Sequence, residues 1–87
     1  MNEQTFKKLQ QILAAATGHE VEEIHEYTLL EEDLGVNMLE DFSRLVAIIN
    51  NEFEIELQTN EVLDELEEAE DSVEVLAKLI QEEIDLG

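Results

Sequence analysis

The sequence contains no cysteine, no proline and only four basic residues. Without cysteine, neither a disulfide framework nor thiolate ligation of zinc is available, so the fold has to be stabilised by packing alone. No stretch approaches the roughly 18 apolar residues of a membrane-spanning helix, and Lys7 and Lys8 interrupt the N-terminal segment where a signal peptide would be apolar. We therefore expect a cytoplasmic protein.

The scarcity of basic residues leaves the chain strongly acidic. Four Lys and Arg stand against 24 Asp and Glu, which gives a formal net charge of -20. Such a surface repels nucleic-acid phosphates and anionic lipid headgroups, because both are bound through clustered Lys and Arg. We expect neither nucleic acid nor membrane as a partner, and a basic protein or enzyme surface instead.

What the sequence does have is regularly spaced apolar residues. Leu, Ile, Val and Phe recur at intervals of three and four through most of the chain, and together with the absence of proline this favours a folded helical protein over a disordered acidic one. With 87 residues and 44% hydrophobic content there is room for one small core. We expect residues 1–87 to form a single, monomeric, all-α domain.

Two long helices are predicted in the first two thirds of the chain. The first runs from Thr5, as its cap or first turn, to Ala16, and Gly18 ends it. The second runs from about residue 38 to residue 53 and, as the most apolar stretch, is expected to be the most buried helix. Its inward-facing residues are predicted to be Leu39, Phe42, Leu45, Val46, Ile49 and Phe53, with Ala47 and Ile48 widening the face.

A short helix and a third long one are predicted in the remainder. Residues 60–68 form the short acidic helix, with Val62, Leu63 and Leu66 inward. The last helix is capped by Asp71 or Ser72, and Glu74 is available as a capping-box partner. Its buried residues are predicted to be Val73, Leu76, Ala77, Ile80 and Ile84.

The connections between these helices are unequal in length. Residues 19–34 form a long loop that needs anchors in the core, and the candidates are Val21, Ile24, Leu30 and Leu34. Residues 54–57 alternate like a strand but have no partner strand, so we expect an extended linker with Ile55 and Leu57 inward. The pattern predicts an antiparallel four-helix bundle with a long first loop.

The start of the second helix carries the strongest local signals. Gly35 can adopt a positive φ at little steric cost, and Asn37 can cap the helix by accepting a backbone N–H. Glu40 follows three residues after Asn37, where a capping-box partner belongs. A glycine turn, a cap and a long apolar face therefore follow one another.

This stretch resembles the attachment site of the acyl carrier protein family, whose signature is Asp-Leu-Gly, one residue, and then Asp-Ser-Leu. Here the chain reads Asp33-Leu34-Gly35, Val36 and Asn37-Met38-Leu39, and the spacing from Glu22-Glu23-Ile24 to the glycine also fits. The resemblance implies an acyl-carrier-like bundle of three long helices and one short helix. In that family the serine hydroxyl carries a 4′-phosphopantetheine arm.

The attachment serine is missing from this chain. Alignment from Gly35 puts Met38 at its position, and alignment back from Phe53 puts Leu39 there; we prefer Met38. A thioether or an isobutyl group cannot form the phosphodiester, so we expect no cofactor. Met38 is interpreted either as an apolar residue packed on its neighbours or as an adaptable anchor for a partner protein.

Other chemistry is weakly supported by the sequence. Ser43 lies within the second helix, where its hydroxyl is expected to bond back to the helix or meet solvent, and Ser72 is expected to be a cap. His19 and His25 lack the i, i+4 spacing of a helical zinc site and a third soft ligand. We expect no enzyme activity and no metal.

The resemblance also implies a docking surface on the second helix, where carrier proteins meet basic patches of enzymes. Glu40 and Asp41 retain acids there, Arg44 adds a positive charge, and Asn50 and Asn51 replace usual acids. Our first hypothesis is a non-catalytic binding module that docks through Met38, Leu39, Glu40, Asp41 and Arg44. The alternative is a genuine acyl or aminoacyl carrier that is modified at an unexpected serine or whose native serine is replaced.

Overall fold

The computed structural model describes residues 2–86. This part of the chain forms four α-helices and one short 3-10 helix, residues Val21–Glu23, and it contains no strand. The prediction of an all-α, four-helix protein is therefore confirmed. The helices are α1 (Glu3–Thr17), α2 (Phe42–Phe53), α3 (Thr59–Glu68) and α4 (Val73–Leu86).

The two ends of α1 are closed by side-chain and glycine caps. Asn2 Oδ1 accepts the N–H of Gln4 at 2.8 Å, so the cap precedes the predicted Thr5, which lies in the first turn. Gly18 takes a left-handed conformation with φ 75° and donates its N–H to the carbonyl of Ala14. This C-terminal cap is the one predicted from the sequence.

The helices enclose one apolar core. α1 packs against α2 and α4, and α3 packs against the same two helices. Lys8, early in α1, donates to the carbonyl of Glu52 near the end of α2, whereas Thr17 lies beside Arg44 near the start of α2. These two helices therefore run in opposite directions. The buried apolar side chains of the helices are Leu9, Leu13, Ala14, Phe42, Leu45, Val46, Ile49, Val62, Leu66, Val73, Leu76, Ala77 and Ile80.

The long first loop is tied to the core and to the start of α4. Ile24, Leu30 and Leu34 are buried, as predicted. The prediction for Val21 is wrong: it is 36% exposed, because it begins the short 3-10 helix and meets α1 through its carbonyl, which Gln10 binds at 3.2 Å. Backbone hydrogen bonds join residues 26–30 to residues 71–74, so the loop is held at a defined position.

The linker after α2 contains no strand, as predicted, but it begins at Glu54 in a left-handed conformation with φ 57°, and not in the extended one expected. Ile55 and Leu57 are partly buried against the core. Asn50 brackets Leu57, since its side chain donates to the carbonyl at 3.1 Å and accepts the N–H at 2.8 Å. Asn50 therefore orders the connection from α2 to α3. Its amide, unlike a carboxylate, can both donate and accept.

The last helix starts at a buried serine. Ser72 Oγ accepts the N–H of Val75 at 3.2 Å, so Ser72 is the cap. With Ser72 as the cap, the capping-box position three residues later is Val75, so the predicted capping-box role of Glu74 is wrong; the Glu74 carboxylate lies 3.9 Å from Lys78 Nζ. Within residues 2–86, no helix combines the length and apolar character needed to cross a membrane.

Candidate functional site

The segment that resembles an attachment site forms a capped turn in front of α2. Gly35 has φ 75°, as predicted, and turns the chain toward Asn37. Asn37 Oδ1 accepts the N–H of Leu39 at 2.9 Å and that of Glu40 at 3.0 Å. The regular helix begins only at Phe42, four residues later than predicted, because residues 38–41 form this separate turn. Its N-cap is Asp41, so the prediction that Asn37 caps the helix itself is wrong, and Asn37 caps the turn instead.

Asp41, and not Glu40, completes the reciprocal capping arrangement. The Asp41 carboxylate accepts the N–H of Asn37 at 3.4 Å, while the Asp41 N–H donates to the Asn37 carbonyl at 2.8 Å. The predicted role of Glu40 is therefore wrong, and its side chain is exposed. In a capping box the carboxylate that accepts the N–H of the cap lies three residues after the cap, and here it lies four residues after Asn37.

Leu39 points into solvent. Its side chain is 95% exposed, more than any other large apolar residue of the described chain. The prediction that Leu39 lies on the buried face of the second helix is wrong, because it belongs to the turn and not to α2. Leu39 therefore does not share the buried face of α2 with Phe42, although it precedes Phe42 by three residues. Met38, by contrast, is partly buried against the core.

The charged residues near Leu39 carry both signs. Arg44 Nη2 lies 2.9 Å from Asp41 Oδ1, and both side chains are substantially exposed. An exposed pair of this kind stabilises the fold by at most about 1 kcal/mol. Because Asp41 and Arg44 neutralise each other, the Glu40 carboxylate provides the net negative charge next to Leu39. The five predicted docking residues are thus brought together on one turn and the first turn of α2.

Replacing Asn37 with alanine should lower the unfolding free energy by about 1 kcal/mol, since two backbone N–H groups lose their acceptor. Urea denaturation monitored by circular dichroism measures the change. Asn51→Ala is the matched control, because Asn51 is exposed within α2 and alanine is the better helix former, so the control should be neutral or slightly stabilising. Equal losses in both variants would contradict a capping role for Asn37.

The two serines differ in accessibility. Ser72 is only 3% exposed, and its hydroxyl oxygen is occupied as the cap of α4. Ser43 is exposed and lies in the first turn of α2, closer to the start of the helix than the sequence predicted. Of these two hydroxyls, only that of Ser43 could be reached by a modifying enzyme.

The two histidines contact different residues. His19 Nδ1 lies 3.8 Å from the Glu23 carboxylate, whereas the His25 ring stacks on Tyr27 with centroids 5.1 Å apart. Among residues 2–86, no group of three or more His, Asp or Glu side chains is arranged to hold a metal ion.

Comparison with known proteins did not identify a relative: no protein-family model matches the chain, and the search of curated proteins gave no match.

Proposed function

We propose that this protein is an acyl-carrier-like binding module, without a prosthetic group, that docks to a basic protein through the turn before α2. The observation that carries the proposal is the exposure of Leu39 on a capped turn. An apolar side chain held out by an ordered backbone can enter a partner's pocket with little further loss of conformational entropy. The prosthetic-group site has no hydroxyl at Met38 or Leu39.

The charge of the chain selects the kind of partner. With a net charge of -20, long-range attraction favours a surface rich in Lys and Arg and accelerates the encounter. Glu40 provides a negative charge beside Leu39, while Arg44 and Asp41 form an ion pair and add little net charge there. The partner surface therefore combines an apolar pocket with a basic rim.

The experiment is affinity capture from a lysate of the cell that makes the protein, followed by affinity measurement with the purified partner. Leu39→Ser should weaken binding by about tenfold or more, because burial of a leucine contributes about 1.5 to 3 kcal/mol. Binding should also weaken steeply with added salt, since charges are screened over about 8 Å at physiological ionic strength.

Leu86→Ser is the matched control. Leu86 is also a strongly exposed leucine, at 83%, but it lies at the end of α4. It should leave the affinity unchanged. Equal losses in the two variants, or binding that is insensitive to salt, would contradict the proposed docking surface.

Intact-mass measurement tests the absence of a prosthetic group. After co-expression with a broad-specificity phosphopantetheinyl transferase, the wild-type protein should keep its unmodified mass. An adduct mapped to the exposed Ser43 would establish the alternative, a carrier modified at an unexpected serine.

A further inference from the structure

An apolar groove is lined by Met38 but not by the neighbouring Leu39. It has a volume of about 460 Å³ and lies between the first loop, the turn before α2, the second half of α3 and the connection from α3 to α4. Its apolar lining comes from Leu29, Met38, Leu63, Leu66 and Ala69. Leu66 is buried and forms part of the floor, while Leu29, Met38 and Leu63 are partly exposed. The groove is therefore accessible to one large apolar side chain.

The charged lining of this groove has one sign only. Glu31, Glu67, Glu70 and Asp71 line it, and none of the residues that line it is basic. Asp71 is engaged, because its carboxylate accepts the N–H of Glu31 at 3.1 Å. The side chains of Glu31, Glu67 and Glu70 belong to exposed residues. A cation approaching the rim therefore meets several carboxylates without displacing a bound Lys or Arg.

A second groove, between α1 and α2, lacks this uncompensated negative rim. Its lining includes Ala16, Ile48 and the Asp41–Arg44 ion pair, so opposite charges there already neutralise each other. Such a groove offers apolar contact without a preference for a charged partner. The groove beside Met38 combines apolar contact with an uncompensated negative rim.

We propose that the groove beside Met38 receives a segment of a basic protein in which one large apolar side chain is flanked by lysine or arginine. The apolar side chain packs on Met38, Leu63 and Leu66, and the flanking cations face Glu31, Glu67 and Glu70. Methionine suits this role because its unbranched thioether adapts to side chains of different shape. This inference rests on the proposed function and names the chemistry of the partner segment.

The test uses two synthetic peptides and the 87-residue protein. The first peptide alternates Lys and Ala around a single central Leu, and the second has Ser in place of that Leu. Fluorescence anisotropy gives the affinities, and methyl NMR spectra report on Leu29, Met38 and Leu63. The Leu peptide should bind about tenfold more tightly than the Ser peptide, because only its side chain buries apolar surface, and it should shift these three signals.

Neutralisation of the rim gives the second readout. Glu67→Gln combined with Glu70→Gln should lower the affinity for the Leu peptide by about tenfold. The matched control, Glu22→Gln combined with Glu56→Gln, removes the same charge from exposed positions outside the groove and should weaken it by less than about twofold. All four positions are exposed, and thermal melting of each variant verifies that the fold is retained.

Three results would overturn the inference. One is equal affinity for the two peptides, and another is an equal loss in the rim and control variants; either indicates attraction to net charge alone. The third concerns octyl glucoside added below its micelle concentration. If this neutral detergent shifts the same methyl signals and neither peptide does, the groove binds a neutral alkyl chain and not a basic segment.

Leu39→Ser separates this inference from the proposed function. Leu39 does not line the groove, so the change should leave the affinity for the Leu peptide within about twofold of the wild-type value. The same change should weaken the binding of the captured partner. If binding of the Leu peptide instead depends on Leu39 and the methyl signals of Leu29, Met38 and Leu63 do not shift, the inference fails and the proposed function stands. If capture is insensitive to Leu39 but the peptide occupies the groove, the proposed docking turn fails.

Discussion

Replacing Ile49 with asparagine should remove most of the stability of the fold. Ile49 has no exposed surface and lies in α2 among the apolar side chains of the core. Loss of its burial costs about 1.5 to 3 kcal/mol, and an amide buried without a hydrogen-bond partner costs about 1 to 3 kcal/mol more.

The stability available to oppose this change is small. For 87 residues, the usual unfolding free energy is about 4 to 13 kcal/mol. The net charge of -20 favours the low end of that range, because the compact state brings like charges together. The substitution therefore removes most of the stability of the fold.

Ile48→Asn is a control that changes the same residue type one position earlier. Ile48 is 38% exposed, so the new amide can bind water and the expected loss is below about 1.5 kcal/mol. Circular dichroism and urea denaturation measure both variants. Equal destabilisation by the two substitutions would contradict the placement of Ile49 in the core and Ile48 at its edge.

Introducing a serine into the turn that resembles a carrier-protein attachment site should make the protein a substrate for a broad-specificity phosphopantetheinyl transferase. Of the two possible positions, Leu39→Ser should be modified and Met38→Ser should not. The hydroxyl of a serine at position 39 would be fully exposed beside the cap of Asn37, whereas position 38 is partly buried. Intact-mass spectrometry and peptide mapping distinguish the two results.

The outcome separates the two alignments of the family pattern. Modification of Leu39→Ser supports the alignment made backward from Phe53, and modification of Met38→Ser instead would support the alignment made forward from Gly35. Leu86→Ser, exposed at the end of α4, should remain unmodified and controls for non-specific transfer. If neither position 38 nor position 39 accepts the arm, the turn before α2 lacks the geometry of a carrier protein.

Much of the secondary structure was predictable because it depends on short-range spacing. The apolar repeats of α1 and α4, and the glycine after α1, gave the correct helices because each signal acts within one or two turns. The burial of Ile24, Leu30 and Leu34 was also predictable, since a long loop in a small protein needs apolar anchors.

The errors arose where the backbone departs from regular helix. The spacing from Leu39 to Phe42 matched a helix, yet the turn at residues 38–41 left Leu39 in solvent. The same extra turn transferred the capping role from Glu40 to Asp41. Helix ends fray, and the local signals at Asn37 and Gly35 suit a separate turn as well as a helix start, so they did not fix the first residue of α2.

By itself, the sequence determined the helical class and the acidic surface, because these follow from periodicity and composition, and it showed that positions 38 and 39 carry no hydroxyl. Only the tertiary structure decided which side chain of the pair Met38 and Leu39 faces solvent. It also brought Met38 beside Leu63 and an acidic rim from distant parts of the chain. Contacts between residues so far apart depend on how whole helices pack, which no local pattern specifies.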